Sequence, residues 1–249
     1  MSEPGHAVGL LSGLFANPSF YCVVAEQNGK LAGSNCLDER SPIAGIGPIT
    51  VDPAVQNGGA GRKLMRAVLD RVRERGNPGV RLVQAAFHNR SLSLYTKLGF
   101  DAREPLSCMQ GAPLKKRVTE CEVRPAQEFD LEACNRICRQ VHGHDRSGEV
   151  ADAIRAGSAR VVERGGRMTG YSTGLSFFGH SVGESNVDVQ ALIADAKSFG
   201  GPGILVPTRN ATLFRWCLES GLRVTQPMTL MSMGLYNEPK GAWLPSILF

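Results

Sequence analysis

The stretch Gln56-Asn57-Gly58-Gly59-Ala60-Gly61-Arg62 decides the fold of this chain. The apolar run at residues 46–51 before it predicts a strand, and the run at residues 62–74 after it predicts a helix with one apolar face. Glycines allow the backbone to approach an anion closely, and the first amides of a helix have no partners within that helix. The sequence therefore predicts a pyrophosphate-binding loop, with an ordinary glycine-rich turn as the alternative.

Two common phosphate-binding loops do not fit this spacing. A P-loop requires a lysine and a hydroxyl residue after its last glycine, whereas Gly61 is followed by Arg62-Lys63-Leu64. A dinucleotide-binding fingerprint requires a third glycine after two intervening residues. After Gly59 and Gly61 this would be position 64, where the chain has a leucine.

The remaining pattern, Gln-x-x-Gly-x-Gly preceded by Val51-Asp52-Pro53, resembles motif A of the GNAT acyltransferases. The resemblance implies that the loop holds the pyrophosphate of acetyl-CoA, and that strand amides around Ile49 and Val51 bind the pantetheine arm. It also implies a V-shaped slot between this strand and the next parallel strand. The cofactor-binding residues expected on this basis are Ile49, Val51, Gln56, Gly58, Gly59, Ala60, Gly61, Arg62 and Lys63.

A second signature follows at a sensible separation. Residues 80–86 predict a strand, and the segment from Asn89 to Phe100 predicts a helix that ends at Gly99. The pattern Asn-Arg-Ser…Tyr…Leu-Gly-Phe resembles motif B of the same family. The resemblance implies that Asn89 contacts the cofactor and that Tyr95 protonates the departing thiolate, with a core aromatic as the alternative for Tyr95.

Composition and charge agree with a cytoplasmic enzyme that contains no metal. Hydrophobic residues make up 42% and charged residues 20%, and neither a membrane-spanning run nor a signal peptide is recognisable. Seven cysteines without framework spacing predict reduced thiols, and Cys134 and Cys138 predict a buried pair, half a metal site being the alternative. A net charge of +5 with 6% aromatics argues against a nucleic-acid partner.

The second half of the chain repeats the first. Residues 24–34 predict a hairpin that turns at Asn28-Gly29, and residues 161–171 match this hairpin without gaps. Residues 210–222 parallel residues 89–100 if one inserted residue is allowed, which places Trp216 opposite Tyr95. Two matches in the same order predict a tandem duplication of the fold.

The second copy is predicted to be degenerate. Its strand-to-helix passage is Val182-Gly183-Glu184-Ser185-Asn186, which lacks the glycine pattern and carries a carboxylate where phosphates would approach. Tryptophan has no acidic hydroxyl to replace that of Tyr95. We therefore expect the second copy to bind no CoA, and to support the first copy or form a wall of its acceptor pocket.

The N-terminal copy is expected to lack the first strand and helix of the family. Only a short segment precedes the strand that starts near Phe20, and residues 7–15 fit the end of the second helix. In the family, the missing elements help to shape the acceptor pocket.

The general base is the least determined role. Relatives place a glutamate on the fourth strand, whereas this chain has Gly45-Ile46-Gly47-Pro48-Ile49-Thr50 there. Glu39, beside Asp38, is the preferred base, a solvated turn being the alternative, and His88 is a weaker candidate. Cys36 as a nucleophile is weaker still, because no paired histidine is evident.

The sequence as a whole predicts an α/β protein with two tandem GNAT-like domains, each a central mixed sheet flanked by helices. The expected divisions are residues 1–112 for the acyl-CoA-binding domain, 117–234 for the degenerate domain and 235–249 for an apolar tail. We expect the tail to pack between the halves, rather than line the acceptor pocket or a dimer contact. The expected activity is acetyl transfer to the primary amine of a small molecule or peptide by a monomer or homodimer, and the alternative is a non-catalytic acyl-CoA-binding module.

Overall fold

The computed structural model describes residues 4–56 and 58–248. Asn57 of the glycine-rich loop, and residues 1–3 and 249 at the two ends, lie outside the described residues. In the described part of the chain no helix has both the length and the apolar character needed to cross a membrane.

The first half of the chain alternates strands and helices in the order that the sequence predicts. Its elements are α1 (Pro4–Ala16), β1 (Phe20–Gln27), β2 (Lys30–Asp38), β3 (Ile43–Ile46), β4 (Thr50–Val51), α2 (Ala60–Glu74), β5 (Gly79–Ala85), α3 (Asn89–Lys97) and β6 (Asp101–Gln110). Asn28 and Gly29 both have positive φ and join β1 to β2, which confirms the first predicted hairpin.

The second half begins with one strand and two helices and then repeats this order. Its elements are β7 (Glu122–Pro125), α4 (Leu131–His142), α5 (Ser147–Arg155), β8 (Arg160–Arg164), β9 (Arg167–Ser172), β10 (Ser181–Gly183), α6 (Asn186–Asp195), β11 (Ile204–Pro207), α7 (Ala211–Glu219), β12 (Arg223–Gly234) and β13 (Ala242–Leu244). The second predicted hairpin, β8 to β9, turns at Gly165 and Gly166 and is confirmed.

The two halves exchange their last long strands. The larger sheet has the order β1-β2-β3-β5-β12-β6-β11, so that β12 of the second half lies between β5 and β6 of the first. Conversely, β6 lies between β12 and β11 of the second half. The sheets therefore do not follow the expected boundary between residues 112 and 117, because each half completes its sheet with a strand of the other.

The strand predicted at residues 46–51 is interrupted, and this part of the prediction is wrong. Gly47 has a φ of +142°, and Pro48 has no amide hydrogen for a ladder, so β3 ends at Ile46 and β4 begins at Thr50. β3 pairs in parallel with β5, whereas β4 pairs only with β2. The chain thus leaves β5 after Ile46 and opens a gap in the sheet at that point.

Four apolar clusters of the described residues hold these elements together, and three of them are the largest. One face of the first-half sheet packs against α2 and α3 through residues such as Ala44, Ile46 and Met65. The opposite face packs against α4 and the second sheet through residues such as Leu106 and Ile137. A third cluster joins α6 and α7 to β11 and β13. The fold class predicted from the sequence, a mixed α/β protein built from two similar halves, is confirmed.

The cysteine prediction is wrong for one pair. Cys22 and Cys36 lie opposite each other on β1 and β2 and form a disulfide with an S–S distance of 2.19 Å. Their pairing depends on the strand register, which cysteine spacing alone does not reveal. The other five cysteines are free and buried, and they include the predicted pair Cys134 and Cys138 on α4.

The apolar tail is packed, as expected, but it also contributes a strand. β13 pairs antiparallel with β10 of the second sheet, and Trp243 and Leu244 are buried. Further along, Ile247 donates a backbone hydrogen bond to the carbonyl of Phe177, 2.8 Å away. Leu248 then lies against β3 of the first half, so the tail contacts both halves.

Candidate active site

A cavity of about 600 Å³ opens where β4, the start of α2 and the start of α3 meet. It lies beside the gap that forms where the chain leaves β5. Eight of the twelve predicted site residues line it, and the complete lining is Ile49, Thr50, Val51, Val55, Gln56, Gly59, Ala60, Gly61, Arg62, His88, Arg90, Ser91, Leu94 and Tyr95. Three predicted cofactor-binding residues, Gly58, Lys63 and Asn89, are not part of this lining.

The start of α2 faces the cavity without a side-chain cap. The apolar face of α2, including Met65 and Val68, is buried against the sheet and fixes the direction of the helix. Gly59 precedes the helix with a φ of +84°, a conformation that favours glycine, and no side chain caps the helix there. The first-turn amides have no acceptor inside the helix, so this end can bind an anion.

Two arginines make the cavity electropositive. Arg62 lies in the first turn of α2, and Arg90 lies in the first turn of α3 on the other side. Arg90 donates to the side-chain oxygen of Gln56, 3.5 Å away, and so links α3 to the glycine-rich loop. Sequence reasoning missed Arg90, although its place next to Asn89 in a helix that starts at the loop is a usable signal.

Tyr95 lies at the buried end of the lining. Its side chain is 6% exposed, and its ring makes an edge contact with Phe100 at a centroid distance of 6.3 Å. Burial raises the pKa of Tyr95 above its ordinary value, and a hydrogen bond with Ser91 offsets part of this rise. The phenol is therefore neutral at physiological pH and holds a proton next to the cavity.

Glu39, the preferred base, is not brought to this site. Its carboxylate accepts from Arg71 at 2.8 Å and pairs with Arg75 at 3.4 Å. Arg71 is eleven residues after the start of α2, which places it about 16 Å along the helix from the glycine-rich loop. Glu39 therefore acts as an ion-pair partner at the far end of α2, and the geometry does not support its role as the base.

The weaker base candidates also have other partners. Asp38 accepts from the Arg40 guanidinium at 2.9 Å, and Cys36, the candidate nucleophile, is bonded to Cys22. His88 does line the cavity, but its Nδ1 caps α3 by accepting from the amide of Ser91. Among the described residues of the lining there is no carboxylate.

The corresponding helix of the second half corrects one sequence alignment. Asn210 caps α7 through the amide of Leu213, just as His88 caps α3 through that of Ser91. The helix ends also correspond, because Phe100 donates to the Tyr95 carbonyl and Leu222 donates to the Cys217 carbonyl.

Residues 210–222 thus match residues 88–100 with no inserted residue, and the counterpart of Tyr95 is Cys217 rather than Trp216. Burial raises the pKa of the Cys217 thiol to about 12, so this thiol stays neutral. Cys217, like Trp216, has no phenol hydroxyl, so this position of the second half differs chemically from Tyr95.

The start of α6, the counterpart of α2, carries an acidic side chain in its first turn. Ser185 and Asp188 form a reciprocal capping box, and Asp188 also accepts from Arg164 at 2.9 Å. Glu184 pairs with Arg167 just outside the helix. A smaller cavity, about 440 Å³, adjoins this helix start, and three carboxylates line it, those of Glu104, Glu184 and Glu238. The described residues of the whole chain contain no cluster of side chains that could hold a metal ion.

Residues 3–100 match the model of a family described as the Acetyltransferase (GNAT) family. A mycothiol acetyltransferase of Nocardia farcinica is 43% identical to this chain over 63 residues, which make up 25% of the chain. The match spans 21% of that protein, about a fifth of its length.

Solved structures resemble the chain over nearly its whole length. A protein of Pyrococcus horikoshii assigned as an acetyltransferase has a TM-score of 0.76 at 19% identity, with 97% of this chain and 85% of that chain covered. A GCN5-related N-acetyltransferase from Sphaerobacter thermophilus has a TM-score of 0.59 at 14% identity, with 94% and 86% covered. At such identities the likeness concerns the fold, and it extends to both halves.

Proposed function

We propose that this chain, whose residues 3–100 match the model of the Acetyltransferase (GNAT) family, transfers the acetyl group of acetyl-CoA directly to the primary amine of a small molecule or peptide. The observation that carries the proposal is the uncapped, electropositive start of α2, which shares one cavity with the buried phenol of Tyr95. The helix start can bind the phosphates of an anionic carrier, and the phenol can donate a proton to the carrier when it leaves.

The cavity fits the pyrophosphate and the pantetheine arm of CoA. First-turn amides at Ala60, Gly61 and Arg62 would bind the diphosphate, and the Arg62 and Arg90 guanidinium groups would neutralise its charge. Backbone groups of Ile49 and Val51, in the segment that has left β5, would pair with the amides of the arm. Gln56, Gly58, Gly59, Lys63 and Asn89 complete the proposed cofactor-binding set.

Tyr95 is the proposed catalytic acid. Bound acetyl-CoA supplies an activated acyl group as a thioester, and its thiolate needs a proton when the acceptor amine takes the acyl group. The Tyr95 Oη can hold that proton, because burial keeps the phenol neutral. We assign no base, since Glu39 is held by arginines at the far end of α2.

The acceptor is proposed only as a class. The mycothiol acetyltransferase relative matches a fifth of its own length, so its substrate does not carry over to this chain. The second half, with its capped α6 and Cys217 in place of the phenol, is proposed to be non-catalytic and to cover one side of the acceptor region.

Isothermal titration of the purified chain with acetyl-CoA, alongside CoA and NAD, tests the cofactor. We expect about one acetyl-CoA bound per chain, and loss of binding when Gly59 and Gly61 are both replaced by valine. Absence of binding by the native chain, or unchanged binding by the double variant, would contradict the proposed site.

Release of CoA thiol in the presence of primary amines tests the reaction. Saturable, amine-dependent release supports transfer. Binding of acetyl-CoA without release for any amine in a broad panel would instead identify a non-catalytic acyl-CoA-binding module.

A further inference from the structure

We propose that the segment at residues 246–248, called the strap below, closes the acceptor side of the site and must move for acetyl transfer. This inference rests on the proposed function. It concerns the face of β3 that lies opposite the cofactor cavity.

Alternation along β3 separates the two faces. Ala44 and Ile46 point into the core that contains α2, α3 and Tyr95. Gly45 lies between them and therefore faces the other side of the sheet. The cofactor cavity is on the α2 and α3 side, so an acceptor that meets the acyl group in the gap beside β4 has to come from the side that Gly45 faces.

The strap occupies that side in direct contact with the backbone of β3. A Cβ placed on Gly45 would lie 1.9 Å from the carbonyl oxygen of Leu248, which is far closer than two such atoms can approach. A Cβ on Gly47 would lie 3.8 Å from the Leu248 side chain. Leu248 itself is 7% exposed. Gly45 and Gly47 immediately precede Pro48 and Ile49, and Ile49 lines the cofactor cavity.

An ion-pair bridge beside the strap closes the same face from the second half. Arg40 donates to Asp38 at the end of β2 and to Asp152 on α5 at 3.0 Å. Gly148 at the start of α5 packs against the carbonyl of Arg40, where a Cβ would lie only 2.8 Å away. The strap is thus seated in a cleft that both halves form, and the acceptor side of β3 is covered.

The strap can be displaced by changes at residues outside the lining of the cofactor cavity. A chain that ends at Pro245 removes the strap and keeps β13. Gly45→Ala leaves the strap sequence intact but expels Leu248 from β3, because the added methyl group cannot fit. Gly13→Ala is the matched control, since a Cβ at this helical glycine meets nothing within 4 Å.

The measurement is the steady-state rate of CoA release with a panel of primary amines, together with the Kd of acetyl-CoA by titration. If the strap is closed in about nine-tenths of molecules, both displacing variants should raise kcat/KM for amines about tenfold, because apparent affinity scales with the open fraction. The Kd of acetyl-CoA should stay unchanged, and Gly13→Ala should behave like the native chain.

The possible results separate the strap from the proposed function. Turnover by the native chain that does not rise in either displacing variant, or that falls while acetyl-CoA still binds, overturns the strap alone. Turnover only in the displacing variants supports both proposals. The proposed function and the strap are overturned together if the native chain does not bind acetyl-CoA. The same holds if every variant that binds acetyl-CoA shows no turnover.

If the shortened chain fails to fold, labelling of Leu248→Cys by a small thiol reagent provides the second test. The Leu248→Cys thiol should be labelled slowly when residue 45 is the native glycine. It should be labelled markedly faster when Gly45→Ala is combined with Leu248→Cys. Equal labelling rates in the two backgrounds would show that the strap is not seated on β3.

Discussion

The starts of α2 and α6 occupy equivalent places in the two halves, yet they treat their free amides in opposite ways. At α2 the chain arrives through glycines, no side chain caps the helix, and arginines surround the opening. At α6 a capping box joins Ser185 to Asp188, whose carboxylate lies in the first turn, and carboxylates paired with arginines line the adjacent cavity. A carboxylate in the first turn repels a phosphate group and takes up an amide that could otherwise bind it.

The space beside the two helix starts differs as well. In the first half the chain leaves β5 after Ile46, and the gap remains part of a cavity. In the second half β13 of the tail pairs with β10, and its buried side chains join the core beneath α6 and α7. The second half thus combines a helix start that carries a capping box with an additional strand beside it, whereas the first half combines an uncapped helix start with a cavity.

The largest expected effect comes from separating the halves. A fragment of residues 1–112 lacks β12, which pairs with both β5 and β6 and buries Leu230 and Met231. Each of these side chains contributes about 2 kcal/mol on burial, so we expect the fragment to be unfolded and to bind no acetyl-CoA. Circular dichroism on heating checks this, with the mixture of fragments 1–112 and 113–249 as control. Cooperative melting of the fragment alone would show that the halves are independent.

Tyr95→Phe tests the difference between Tyr95 and Cys217. Removal of the phenolic proton donor should lower kcat by about 100-fold or more, while the Kd of acetyl-CoA changes little. Initial-rate assays of CoA release give kcat, and titration of the same preparation gives the Kd of acetyl-CoA. A kcat within threefold of native would assign Tyr95 to the core rather than to catalysis.

Gly58→Glu introduces into the first half the carboxylate that Glu184 supplies in the second, since each residue precedes the helix cap by one position. We expect acetyl-CoA to bind about tenfold more weakly than in Gly58→Gln, which adds similar bulk without charge. Added salt should reduce the difference. Equal affinities of the two variants would mean that charge does not distinguish the two helix starts.

The pH dependence of kcat should be small on the alkaline side. Because burial raises the pKa of Tyr95, the proton-bearing form is kept as pH rises and is lost only above about pH 10, the ordinary value for tyrosine. We expect kcat to stay nearly level from neutral pH to that point, as measured by CoA release in a single mixed buffer. A decline well below it, absent from Tyr95→Phe, would contradict a raised pKa.

Cys217→Ala should have the smallest effect on activity. The thiol is fully buried and neutral, so its removal should leave kcat and KM within about twofold and cost about 1 kcal/mol of stability. Rate assays and thermal melts check both values. A large loss of activity with an unchanged melting temperature would show that the second half takes part in catalysis.

Local signals in the sequence predicted the features that depend on near neighbours. The glycine-rich loop, both hairpin turns and the helix of Tyr95 were all readable from residue type and spacing, because turns and caps depend on a few adjacent residues. Eight predicted residues line one cavity for the same reason, since the loop and helix that carry them are short and continuous.

The features that escaped prediction depend on distant pairing. The sequence of residues 223–234 does not indicate that they pair with β5 rather than with a strand of their own half. The Cys22–Cys36 bond likewise depends on the register between two strands. The partners of Glu39 come from the far end of a helix, so its place beside the motif in sequence did not predict its place in space. The Trp216 alignment failed because Asn210 corresponds in role to His88, a histidine cap that sequence identity does not reveal.

The exchange of β6 and β12 bears on the order in which the chain can fold during its synthesis. While residues 1–112 leave the ribosome, the strand that will cover the free edge of β5 has not yet been made, and it arrives only after a further hundred or so residues. An uncovered strand edge invites unwanted pairing. The nascent first half thus waits for the second, so a second half that contributes none of the described lining of the cavity is still needed to complete the sheet beside it.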